Sequence, residues 1–147
     1  MKALPLVLAI AALACSDAAG PNPLSVALHV FNVTMTSPTA DAPWACSYVL
    51  RLDVLGGKPT DAIEFVSGRR EVLFREGART TDEQSADALA RSFRASRVFS
   101  GEVVNTEQFL FSTAPFNAQV THVIRFRMTG GQVDSVTAAA IHCPPDL

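Results

Sequence analysis

Lysine is nearly absent from this chain: of its 12 basic residues only Lys2 and Lys58 are lysine, and the rest are arginine. Against 14 acidic residues this leaves a net charge of −2. That balance excludes the strongly basic footprint by which nucleic-acid binders announce themselves. Long apolar runs are missing too. The longest, Ala3 to Ala14, has 12 residues, whereas a membrane-spanning helix needs roughly 20. There are only three cysteines, with no CxxC spacing, and His29, His122 and His142 stand singly with no HxxxH spacing. A metal site is therefore not expected. No serine sits in a G-x-S-x-G elbow. Phe65-Val66-Ser67-Gly68 and Phe99-Ser100-Gly101 read as turns without a following helix. The acids are dispersed, with no pair placed for general acid–base work. The expectation is a protein that is not an enzyme and carries no cofactor.

What is present is enough for a packed domain. Hydrophobic residues make up 48% of 147 and charged residues 18%, the balance of a globular chain rather than a disordered one. The N-terminus has its own logic. Met1-Lys2 is a short positive region, and residues 3–14 match the apolar core of a secretory leader ending in Ala12-Leu13-Ala14, an A-x-A-like cleavage site. Without residues 1–14 the chain keeps 11 basic residues (12 less Lys2) against 14 acidic ones, a charge of −3.

Ala12, Leu13, Ala14 and Cys15 resemble the lipobox of bacterial lipoproteins, with Ala12 where that pattern favours Leu. The resemblance covers residues 1 to about 17. It implies that Cys15 becomes the first mature residue, carries a diacylglycerol on its thiol and is acylated on its amino group. Two or three acyl chains hold a protein on a membrane far better than one. The implied address is an exported protein, lipid-anchored to a bacterial membrane and facing the periplasm or the cell exterior. Ordinary cleavage after Ala14 is the rival, and it would leave a free thiol in an oxidising compartment. On either reading residues 1–14 are a leader, 15–23 a tether of small residues and proline, and 24–147 the folded domain. If Cys15 goes to lipid, Cys46 and Cys143 remain as an even pair in an oxidising compartment, which reads as a disulfide. Two buried free thiols are the alternative.

The mature chain alternates with period two. Cys46, Tyr48, Leu50, Leu52 and Val54 form one face of a strand, and Val120, His122, Ile124, Phe126 and Met128 one face of another. Leu24 to Met35 reads as a first long strand interrupted by Asn32. Thr129-Gly130-Gly131-Gln132 turns the second apolar strand back into Val133 to Cys143 as a hairpin. Shorter strands are expected at 63–66, 71–75, 98–104 and 108–112. One segment differs. Thr81-Asp82-Glu83-Gln84 is a capping box, and Ala86, Leu89, Ala90 and Phe93 share a helical face, so a helix is expected over about 82–94.

Seven or so short strands and one helix point to a mainly β chain, an antiparallel β-sandwich of immunoglobulin-like or fibronectin-like architecture. An α+β sheet is the alternative. Membership of the immunoglobulin family is not implied: Trp44 precedes Cys46, position 141 is Ile, and the cysteines are too far apart.

The candidates for ligand contact are Trp44, Arg69 and Arg70. Trp44 is either a cap on the sandwich or an anchor for a ligand. Arg69 and Arg70 belong to a run with Arg75 and Arg79 that alternates with Glu71 and Glu76. Such mixed signs mark a solvated strand face, with an anion or polysaccharide contact as the functional alternative. His122 reads as a core histidine. Phe109, Leu110, Phe111 and Phe116 read as core, or as the wall of an apolar pocket shared with Phe126. The functional expectation is a small binding or structural module of the cell envelope, with the membrane as one partner through Cys15 and an envelope protein or polysaccharide as another. A carrier of an apolar small molecule is the alternative, and a hydrolase a more distant one.

Overall fold

The computed structural model describes residues 22–39, 43–112 and 116–144. The leader, Cys15 and most of the tether lie outside them. The described chain is an antiparallel β-sandwich, mainly β with one short helix. Its strands are β1 (Ser25–Thr36), β2 (Trp44–Leu55), β3 (Ala62–Phe74), β4 (Arg79–Ser85), β5 (Arg97–Phe99), β6 (Val103–Ser112), β7 (Ala118–Met128), β8 (Val133–Thr137) and β9 (Ile141–Cys143), with α1 (Ala86–Phe93) between β4 and β5. One sheet has the order β1-β2-β6; the larger has the order β4-β3-β7-β8. Strand β5 continues the β4 flank of β3, and β9 continues the β8 flank of β7.

The period-two pattern becomes the core directly. The even residues of β2 from Cys46 to Val54 are all buried, as are the even residues of β7 from Ala118 to Phe126. They meet between the sheets with Leu28, Ile63, Phe65, Val72 and Val98. Each large apolar side chain fully buried there contributes roughly 1.5–3 kcal/mol. Two bulges shift this alternation. Asn32 adopts φ +55, which asparagine tolerates, and the β1–β2 register slips between Phe31 and Thr34. In β3 the slip lies between Phe65 and Ser67, so the inward residues change from Ile63 and Phe65 to Gly68, Arg70 and Val72.

The helix is shorter than the sequence pattern predicts, and it starts later. Residues 79–85 are a strand paired with β3, placing Asp82 opposite Arg70 and Thr81 opposite Glu71. That pairing and the ion pair it brings outweigh the Thr81 capping box. The helix begins where the ladder ends, at Ser85, whose Oγ accepts from the Ala88 N–H at 3.2 Å. The expected apolar face is kept: Leu89 and Phe93 are buried, and Phe93 stacks on Phe65 with ring centroids 5.3 Å apart. A Cβ at Gly68 would stand 3.0 Å from a Leu89 methyl carbon, so this glycine makes room for the helix inside the sandwich. Ser67-Gly68, which the sequence presents as a turn, is thus the middle of one 13-residue strand.

Cys46 on β2 and Cys143 on β9 are joined by a disulfide, with Cα atoms 5.9 Å apart. The bridge ties one sheet to the other.

Candidate functional site

Arg69 and Arg70 are neighbours in sequence and lie on opposite faces of β3, because successive side chains of a strand alternate. Arg70 points between the sheets and is half-buried. Its Nε donates to Asp82 Oδ2 at 2.9 Å and its Nη2 to the same oxygen at 2.5 Å. Its Nη1 donates to the Phe109 carbonyl oxygen at 2.9 Å. Strand β4 of one sheet and β6 of the other are therefore stitched by one guanidinium along the open side of the sandwich. Burial works against the charge on Arg70, but Asp82 and the Tyr48 hydroxyl hold it protonated and raise its pKa.

Behind Arg70 lies a buried polar pair. Tyr48 Oη is 2.8 Å from His122 Nε2, and the charge of Arg70 acts on both groups. The hydroxyl and the ring nitrogen share one hydrogen bond whose direction follows the tautomer of the ring. Burial raises the Tyr48 pKa, with Arg70 opposing. Burial, then the nearby Arg70 charge, lowers that of His122 from 6.5 to about 4. The ring sits in the core as a neutral, satisfied group, as its place on the apolar face of β7 suggests.

Arg69 lies on the outer face of the larger sheet, its Nε 3.3 Å from Glu71 Oε1. With Ser67, Glu83, Val123, Arg125 and Ser135 it lines an open depression of about 300 Å³. Among the described residues Arg125 makes no ion pair. Neither does Arg127, two residues on along β7, whereas Arg97 on the same face is 3.2 Å from Glu64. This outer face, on a chain of net charge −2, thus holds two unpaired guanidiniums. Arg125, which with Arg127 reads from the sequence as the outer face of its strand, and Ser135, which the sequence does not single out, come to Arg69 from β7 and β8 through the sheet register.

Trp44 joins neither arginine. It is the first residue of β2, opposite Ser112 of β6, and is half-buried in a strand instead of exposed on a loop. Phe109 and Phe111 depart from the expected core packing. They stack on each other 5.9 Å apart on the outer face of the smaller sheet, while Phe126 is buried inside. The three do not wall a common interior pocket, because Phe109 and Phe111 are odd-numbered on a strand whose even residues face inward. On the same outer face His29 Nε2 is 3.7 Å from Asp53 Oδ2, while Asp53 Oδ1 accepts from Arg51 Nε at 2.6 Å.

Among the described residues, no group of three or more His, Cys, Asp or Glu is placed to hold a metal ion, and no helix is long and apolar enough to cross a membrane.

No family model matches the chain, and no curated protein matches it. Among solved structures it is similar to the crystal structure of the "Putative ApaA Protein" from Bordetella pertussis, at 11% identity and a TM-score of 0.62, covering 82% of this chain and 93% of that one. It is also similar to the X-ray structure of a structural-genomics target, at 8% identity and a TM-score of 0.60, covering 82% and 85%. At such identities the likeness is one of fold, and fold alone assigns no activity.

Proposed function

We propose that this protein is an exported, lipid-anchored β-sandwich that serves as a binding module of the bacterial cell envelope, holding an acidic polysaccharide against the outer face of its larger sheet. The observation that carries the reading is the unpaired guanidinium of Arg125 in the depression it shares with Arg69, Ser67 and Ser135. A guanidinium fork matches a carboxylate or phosphate in two parallel hydrogen bonds, and the two serine hydroxyls add donors that rotate to suit. The depression lies on an exposed sheet face, where a polymer running along the sheet can place one acidic group in it while its neighbours stay in solvent. The address comes from Cys15 and the leader before it.

The test is binding of the protein to polygalacturonate, followed by calorimetry at two salt concentrations. Saturable binding that weakens with salt is expected. Arg125→Gln should weaken it by about tenfold, equivalent to ~1.4 kcal/mol. No binding, together with envelope crosslinks from position 125 that lead only to proteins, would overturn the polysaccharide reading.

A further inference from the structure

The chain joins the sandwich at one pole. The Asn22 carbonyl oxygen accepts from the Gly57 N–H at 2.6 Å. A Cβ on Gly56 would collide with the Pro23 carbonyl oxygen, and one on Gly57 would lie 3.1 Å from a Leu24 methyl carbon. Both glycines have φ +70, so the turn between β2 and β3 is shaped to seat Asn22 to Leu24. The Ser100 hydroxyl donates to the Gly56 carbonyl, and Gly101 N donates to the Val54 carbonyl at 2.7 Å. The turn before β6 therefore belongs to the same pole.

This pole carries exposed apolar side chains. Of the seven exposed large hydrophobic residues among those described, Leu55 (49%), Phe99 (38%), Val103 (43%) and Val133 (41%) lie here. Charges of both signs stand among them: Lys58 is exposed, the Arg97 guanidinium is 5.5 Å over the Phe99 ring and 3.2 Å from Glu64, and Glu102 accepts from Phe99 N–H at 2.8 Å. The apolar tips are the groups that can enter a headgroup layer.

We propose that this pole is the face the domain lays on the phospholipid bilayer. The inference rests on the anchor reading of Cys15. Only six residues separate Cys15 from Asn22, and the seven chain steps between them reach at most about 25 Å. An acylated Cys15 lies in the interface, so the pole stays within that distance of it, and the apolar tips convert proximity into contact. The far end of β6, where Phe109 and Phe111 stack, is about 26 Å from Val103 along the strand and points away from the lipid.

Brominated-lipid quenching tests this. The processed protein, extracted from membranes, is placed in vesicles of phosphatidylethanolamine and phosphatidylglycerol with and without brominated acyl chains. In a Trp44→Phe background, Phe99→Trp and Leu55→Trp report on the pole and Phe111→Trp on the far end; two pole sites keep the test readable if one variant fails to fold. Emission at 99 and 55 should fall on brominated vesicles while that at 111 holds. Similar emission at all three sites, with acyl mass present on Cys15, overturns the pole and leaves the anchor standing. An intact mass showing unmodified Cys15 overturns both.

Discussion

A histidine buried to 4% exposure beside Tyr48 stays neutral because burial penalises its charged form and the nearby Arg70 charge repels it. This has a signed consequence. The folded pKa of His122 is about 4 against an ordinary 6.5, so the unfolded chain takes up a proton that the fold refuses. The stability that neutral His122 contributes is fully present above pH 6.5 and is lost as pH falls toward 4, by about 3 kcal/mol in all. Urea midpoints measured from pH 7 to 4 should fall more steeply for the natural protein than for His122→Gln, which has no ring to titrate. Equal slopes would mean that His122 is not the group responsible.

At the scale of elements, Ser85→Ala should cost about 1 kcal/mol through loss of the N-cap, whereas Thr81→Ala, on an exposed strand position, should stay within about 0.5 kcal/mol. Thermal melts of the two variants distinguish the structural helix start from the one written in the capping box. Both signals are in the sequence, and the difference shows where its legibility stops. Period two identifies β2 and β7 because each of these strands buries one whole face, and a buried face leaves a pattern, whereas β1, with only Leu28 buried, shows as an apolar, β-branched run. Strand β4 has no buried face: six of its seven residues are exposed. It exists because β3 pairs with it and because Asp82 meets Arg70. A partner 12 residues away leaves no periodic trace. The site is hidden for a related reason. That Arg69 and Arg70 face opposite ways follows from period two, but which one faces inward depends on the bulge between Phe65 and Ser67. Arg125 and Ser135 reach Arg69 only through register. The stacked pair Phe109 and Phe111 misleads because aromatic density implies burial only when the strand turns that face inward.

Across the whole molecule, the pole that receives the tether and the bridge from Cys46 to Cys143 lie at opposite ends of the strands. The bridge spans a sequence separation of 97, and closing so long a loop restricts the unfolded chain by about 4–5 kcal/mol. Cys143→Ser should lower stability by about that much, read as a drop in urea midpoint that reducing agent reproduces in the natural protein. A drop in only one of the two would point to strain or misfolding in the variant rather than to the cross-link.

The same bridge decides what becomes of a cut chain. A protease that cuts the backbone anywhere between residues 47 and 142 severs the chain without releasing a fragment, because the pieces on either side remain covalently joined. A copy cut once there stays a single covalent molecule, and a reductant separates its two pieces.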